Sequence, residues 1–234
     1  MRLNIEFMAD GNTVLPYSYR RGLQAFIYSA LDSKDSAYLH DMEAGRIKPF
    51  VFSDILGRYQ AIDRGIVFDG KCTFYLSSPS FNLLNEFYNF CIKKETLSLY
   101  GNYFPLTRIS EDLYKHKDGT VSYRTISPLT VFDIDSNGHS YFYNPDQDEF
   151  KEKITDNLSH KYLEIYGKQM DSYFNIYRIE ELKRHVVEFK GFKYDAYDIS
   201  FMADCKDDIH TLMMDCGIGN RNSIGMGMIE YYSR

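Results

Sequence analysis

The 234-residue chain has no tryptophan, six prolines and four cysteines, and these scarcities close off several functions. Cys72, Cys91, Cys205 and Cys216 show no C-x-x-C spacing, so neither a zinc ribbon nor a redox motif is present. They read as buried or free thiols in a reducing compartment. No His, Asp or Glu group has metal-ligand spacing, and neither a metal nor another cofactor is expected. No apolar run approaches ~18 residues, and no charged segment followed by an apolar one opens the chain. A cytoplasmic protein without a membrane span is the expectation. A basic excess is also missing. The net charge of −6 argues against a nonspecific nucleic-acid coat. Residues 1–127 hold 15 Lys+Arg against 14 Asp+Glu, and residues 128–234 hold 12 against 19. Any nucleic-acid site must therefore be a local patch of positioned side chains and N–H groups.

Aromatics are abundant: 21 Tyr and 17 Phe make 16% of the chain, far too many for a disordered protein. The length suits one large domain or two small ones. Leu3, Ile5 and Phe7 alternate in a strand over Arg2–Met8, before a loop marked by Asp10-Gly11-Asn12 and Pro16. Arg20–Leu31 is predicted helical, with Leu23, Phe26, Ile27 and Leu31 on one face and Arg20, Gln24 and Tyr28 in a row on another. A short helix follows, capped by Asp35 or Ser36 and stopped at Gly45. Phe50–Ile55 is a strand. Gly65–Phe68 and Cys72–Leu76 read as a hairpin turning at Asp69-Gly70. Ser80 starts another helix, and Thr96–Ile109 is extended.

The polar stretch Glu111–Gly119 divides the chain into 1–118 and 119–234. Val121–Phe132 is extended, with a bend or edge at Ser127-Pro128-Leu129. Asp146–Tyr166 is the longest predicted helix, with Phe150, Ile154, Leu158, Tyr162 and Ile165 inward. Strands follow over Tyr173–Ile179, Leu182–Phe189 and Tyr194–Met202, then a helix over Lys206–Cys216 and a strand over Gly225–Tyr232. Each half fits β-α-β-β-α-β. The predicted fold is α+β, two ferredoxin-like domains in tandem with a C-terminal glycine-rich loop.

That loop is Gly217-Ile218-Gly219-Asn220-Arg221-Asn222-Ser223-Ile224-Gly225-Met226-Gly227. Glycines let the backbone approach a ligand, and successive N–H groups can form an anion-binding concavity. Arg221 adds a planar fork suited to phosphate. A glycine-rich turn without a ligand has the same pattern. The order helix, loop, strand is opposite to that of a dinucleotide fold, and no Gly-Lys-Ser/Thr follows.

A second set of residues carries acid–base chemistry. His40 can accept and donate protons near neutral pH. Tyr28 lies 12 residues before it, Arg46 and Lys48 six and eight after. RNA cleavage by its own 2′-hydroxyl needs a base, an acid and a cation on the phosphorane, which these residue types supply. A lone exposed helical histidine is more often an ordinary surface residue. Of the other histidines, His116, His139 and His160 read as solvated, His185 as solvated or touching phosphate beside Lys183 and Arg184, and His210 as a boundary residue.

Loop, His40 region, the Lys48–Ser53 strand and Ser127-Pro128-Leu129 together resemble the RAMP superfamily of CRISPR-associated RNA-binding proteins. Within it the chain resembles the endoribonucleases that cut precursor CRISPR RNA in each repeat. The resemblance implies metal-independent transesterification leaving a 5′-hydroxyl and a 2′,3′-cyclic phosphate. His40 would be general acid or base, Tyr28 would orient the 2′-hydroxyl, and Lys48 or Arg46 would stabilise the phosphorane. Gly217, Gly219, Arg221, Gly225 and Gly227 would hold RNA backbone. The implied partners are CRISPR repeat RNA and subunits of an interference complex, with the protein a monomer or homodimer. The alternative within the superfamily is a protein that binds repeat or guide RNA without cutting it.

Overall fold

The computed structural model describes residues 1–31, 47–114 and 119–232. Along β1 (Arg2–Leu15), Leu3, Ile5, Phe7 and Ala9 are buried, while Asn4, Glu6 and Met8 face the other way. Helix α1 (Arg20–Ala30) follows, then β2 (Val51–Phe52), β3 (Leu56–Ile62), β4 (Gly65–Ser77), α2 (Phe81–Lys94), β5 (Thr96–Leu99) and β6 (Asn102–Glu111). These strands form one antiparallel sheet in the order β2-β4-β1-β6-β5, with β3 paired to another stretch of β4. Leu23, Phe26 and Ile27 of α1 and Leu84, Phe87 and Cys91 of α2 share a core with Ile5, Phe7 and Phe74. Ser80 caps α2, its Oγ accepting from the Leu83 N–H, and Lys93 and Lys94 complement the other end of the helix dipole.

The second half runs β7 (Gly119–Thr125), β8 (Phe132–Ile134), β9 (Ser140–Phe142), α3 (Asp148–Tyr166), β10 (Phe174–Phe189), β11 (Phe192–Cys205), α4 (Asp207–Cys216) and β12 (Ile229–Tyr231). Its four-stranded sheet has the order β10-β11-β7-β12, and β8-β9 is a separate hairpin. Phe150, Ile154 and Leu158 of α3 meet Ile209, Leu212 and Met213 of α4 in a second core. The chain is thus α+β with more strand than helix. No helix among the described residues is long and apolar enough to cross a membrane.

The halves are tied together by hydrogen bonds. The Asp54 N–H of the first half donates to Ile126 O of the second, whose own N–H is held within that half by Met228 O. The buried Arg2 guanidinium donates to Ser77 Oγ on one side and to Ile229 O and Met214 O on the other.

Several predicted boundaries move. Asp69-Gly70 does not turn: β4 is continuous there, and Asp69 pairs with Asp10 of a longer β1. Residues 11–13, expected as a loop, form a bulge in which Asp10 Oδ1 accepts from Asn12 and Thr13 N–H. Long-range pairing has overridden local turn chemistry, and the hairpin is β3-β4 instead. The extended Thr96–Ile109 stretch is itself the hairpin β5-β6. The two strands predicted over Tyr173–Phe189 are one strand, β10, with irregularities near Tyr177 and Leu182. The last strand begins at Ile229 rather than Gly225, because Gly225 and Gly227 have positive φ and Gly227 bonds to Pro128 and Ile218 rather than to a strand neighbour. The predicted short helix after Leu31 lies outside the described residues.

Candidate functional site

Two positive-φ glycines let the loop double back on itself. Gly217 and Gly227 have φ of +72° and +71°, and Ile218 N–H donates to Gly227 O. A Cβ built on Gly227 would lie 2.0 Å from Ile218 O, and one on Gly225 2.5 Å from the Phe52 ring. The loop therefore packs closely against β2 of the first half. Most of it is buried, while Arg221 is exposed and Asn220 and Ser223 are half-buried.

Its backbone is held from several sides. Asn220 N–H donates to Thr130 O, and Gly227 N–H to Pro128 O. The Asn222 side-chain amide donates to Ile218 O and Met226 O, both at 2.9 Å. From α3, Lys161 Nζ donates to Gly217 O at 2.8 Å and Gly219 O at 3.0 Å. Burial pushes the Lys161 pKa down to about 7. At the apex Arg221 is left-handed, and its guanidinium sits 5.4 Å from the Phe132 ring centroid and 5.7 Å from that of Tyr194. Ile224 and Met226 anchor the same segment in a third apolar cluster with Val187, Phe189 and Tyr194.

The polar row on α1 leads from this loop to two of the candidate acid–base residues, Tyr28 and Lys48. Arg20 pairs with Asp54 at 2.5 Å. One turn on, Gln24 Nε2 donates to Ser223 O of the loop at 2.8 Å. A further turn on, about 6 Å along the axis, Tyr28 Oη accepts from Lys48 Nζ at 3.0 Å. The Lys48 ammonium also lies 5.4 Å from the Tyr28 ring centroid. Desolvation raises the Tyr28 pKa to about 12 and lowers that of Lys48. At neutral pH Tyr28 is thus a neutral phenol that accepts from Lys48 and keeps its own proton.

The structure accordingly joins Tyr28 to Lys48 and links their helix to the glycine loop. His40 and Arg46 lie outside the described residues. Among the described residues no group of three or more His, Cys, Asp or Glu side chains could hold a metal ion. His185 pairs with Asp198 at 2.7 Å. His210 is not the boundary residue expected: it is buried, hydrogen-bonded to Tyr123 Oη, and lies 3.1 Å from Gly119 O. Sequence reasoning missed Lys161, although position 161 falls between Leu158 and Ile165 on the inward face of α3. It noted Gln24 only as part of a row.

A RAMP protein binding different RNA substrates shares this fold, with a TM-score of 0.86 at 18% identity over 100% of each chain. What the two proteins share is the arrangement of two helix-packed antiparallel sheets. Residues 110–231, more than half of the chain, match the family described as CRISPR associated protein Cas6, C-terminal. The chain therefore belongs to the Cas6 family of CRISPR-associated proteins. The CRISPR-associated endoribonuclease Cas6 1 of Methanocaldococcus jannaschii is 29% identical over 241 residues, covering 98% of this chain and 92% of that protein. A solved structure named CRISPR associated protein Cas6 superposes with a TM-score of 0.78 at 26% identity, covering 100% of this chain and 99% of that one.

Proposed function

We propose that this protein is an endoribonuclease that cuts precursor CRISPR RNA within its repeats without a metal ion. The observation that carries the reading is the Lys48–Tyr28 hydrogen bond, one helical turn from the contact between Gln24 and the glycine loop. Membership of the Cas6 family supports it. The 2′-oxygen attacks the adjacent phosphorus, the P–O5′ bond breaks, and the 5′-oxygen leaves with a proton. The products are a 2′,3′-cyclic phosphate and a 5′-hydroxyl. His40 transfers the protons. Tyr28, a phenol at neutral pH, orients the 2′-hydroxyl as a hydrogen-bond donor. Lys48 stabilises charge on the phosphorane, with Arg46 as the other cation of the segment. Gly217, Gly219, Arg221, Gly225 and Gly227 form the loop that holds RNA backbone. Arg221 meets solvent there, whereas the glycines make its tight course possible.

The fold reading that goes with this function is two ferredoxin-like domains, 1–118 and 119–234. It is supported by the sheet order β10-β11-β7-β12, which places the four strands of a β-α-β-β-α-β unit as second, third, first, fourth. The run β2-β4-β1-β6 gives the first half the same order, with β3 and β5 added.

The test is cleavage of the cognate repeat RNA in EDTA, with end-group analysis, by wild type, His40→Ala and Tyr28→Phe. Wild type should leave cyclic phosphate ends. His40→Ala should lose about 100-fold or more in single-turnover rate. Tyr28→Phe should lose about tenfold, because only the hydroxyl is removed and the packing on Phe50 stays. Cleavage that requires added metal, or an unimpaired His40→Ala, would refute the mechanism. Tight binding by folded wild-type protein without any cut would leave a repeat-binding protein.

A further inference from the structure

Lys161 is the most heavily buried cation among the described residues, at 1% exposure. A buried ammonium needs hydrogen-bond partners, and its acceptors here are carbonyl oxygens rather than carboxylates. A leucine or methionine would fill the same helical position at lower desolvation cost. The donors of Lys161 instead converge on Gly217 O and Gly219 O. These are alternate carbonyls in the first glycine triplet, whose two glycines have φ of +72° and +65°. Asn222 captures the carbonyl between them, Ile218 O. Three successive carbonyls are thereby drawn into the protein by side chains: Lys161, Asn222, Lys161. Each peptide N–H points opposite to its carbonyl. Fixing the carbonyls inward therefore fixes the course of the backbone up to Arg221 at the exposed apex, where the ring faces of Phe132 and Tyr194 receive the guanidinium.

We infer that Lys161 is a positioning residue for RNA binding: from the core it clamps the glycine loop so that Arg221 and the apex meet the RNA backbone in one conformation. The inference rests on the reading that the loop holds RNA. Lys161 does not itself reach the surface. Burial depresses the Lys161 pKa, and the two carbonyl contacts need only two N–H donors, which the amine keeps in either protonation state.

The experiment uses full-length Lys161→Met, Lys161→Gln and Arg221→Ala with labelled repeat RNA. Fold is checked by circular dichroism and melting, and hydrogen exchange is read on the 217–227 peptide. Lys161→Met should exchange faster in that peptide and bind RNA about tenfold more weakly. Its cleavage rate at saturating RNA should change much less. Lys161→Gln, with two N–H donors on a shorter stem, should fall between it and wild type. Arg221→Ala should also weaken binding. If Arg221→Ala weakens binding while both folded Lys161 variants bind normally, the clamp is overturned and the loop reading stands. If all three bind like wild type, the loop reading fails and takes the clamp with it. Unfolding of both Lys161 variants would assign the residue to core stability and overturn the positioning role.

Discussion

At Lys161 the ordinary lysine pKa of 10.5 falls to about 7 because the ammonium is fully desolvated. Between those values the unfolded chain binds a proton that the folded chain does not. Stability must therefore rise with pH across that window, by up to about 1.4 kcal/mol per pH unit from this group. Burial pushes the Cys91 and Cys216 thiols up to about 12 from 9.0, and this has the opposite sign. There the folded state keeps protons that the unfolded state loses, so stability falls as pH rises toward and beyond 9. The clean interval is pH 7 to 8.5. Urea unfolding at three pH values in that interval should show a positive slope in wild type that is smaller in Lys161→Met. Equal slopes in the two proteins would mean that Lys161 is not titrating there. The same residue shows what a sequence conceals. Its helix was legible from Phe150, Ile154, Leu158 and Ile165, but a lysine on that face reads as solvated until the carbonyls above it are seen.

Among elements, the glycine loop does two jobs with different costs. Gly227 must have positive φ, and it must also let Ile218 O approach where a Cβ would stand. Gly138, in the turn between β8 and β9, has φ of +84° but nothing within 4 Å of its would-be Cβ. Gly138→Ala should therefore cost only the backbone term, about 1 kcal/mol. Gly227→Ala adds a clash with backbone that cannot rotate away and should cost about 3 kcal/mol or more. Denaturant midpoints at constant m-value would compare them, and equal costs would disprove the close-approach argument. The loop was legible as a pattern because glycine spacing is local. The partners that fix its shape, from Phe52 to Thr130 and Lys161, are distant in sequence and were not. The misplaced turn at Asp69-Gly70 has the same origin: its strand is set by pairing with Asp10 across 59 positions. The four described helices were legible because their apolar period is local. Tyr28 and Lys48 could be named from the sequence only as candidates, and their hydrogen bond became visible only in the fold.

For the molecule as a whole, the question is whether two cores behave as one unit. Arg2 gives the strongest handle. Its guanidinium is 3% exposed and donates to Ser77 Oγ in the first half and to Ile229 O and Met214 O in the second. Tyr75 and Tyr114 lie against it, at 5.7 and 5.8 Å from their ring centroids. The planar fork reaches both halves at once, which the single ammonium of lysine cannot reproduce. Arg2→Lys should thus leave Ser77 or the second-half carbonyls without a donor, at a cost of about 3 kcal/mol. Because those acceptors belong to different cores, the loss should fall on the joint rather than on either core. Calorimetry should show one cooperative transition in wild type, and a broadened or split transition in Arg2→Lys with the calorimetric enthalpy exceeding the van't Hoff value. A variant that melts lower but still as a single two-state unit would show that β2 and the glycine loop couple the halves without Arg2. The proposed site, with Tyr28 and Lys48 in the first half and the loop proposed to hold RNA in the second, depends on that coupling. In Arg2→Lys, RNA cleavage should therefore fail at a temperature below the first core transition.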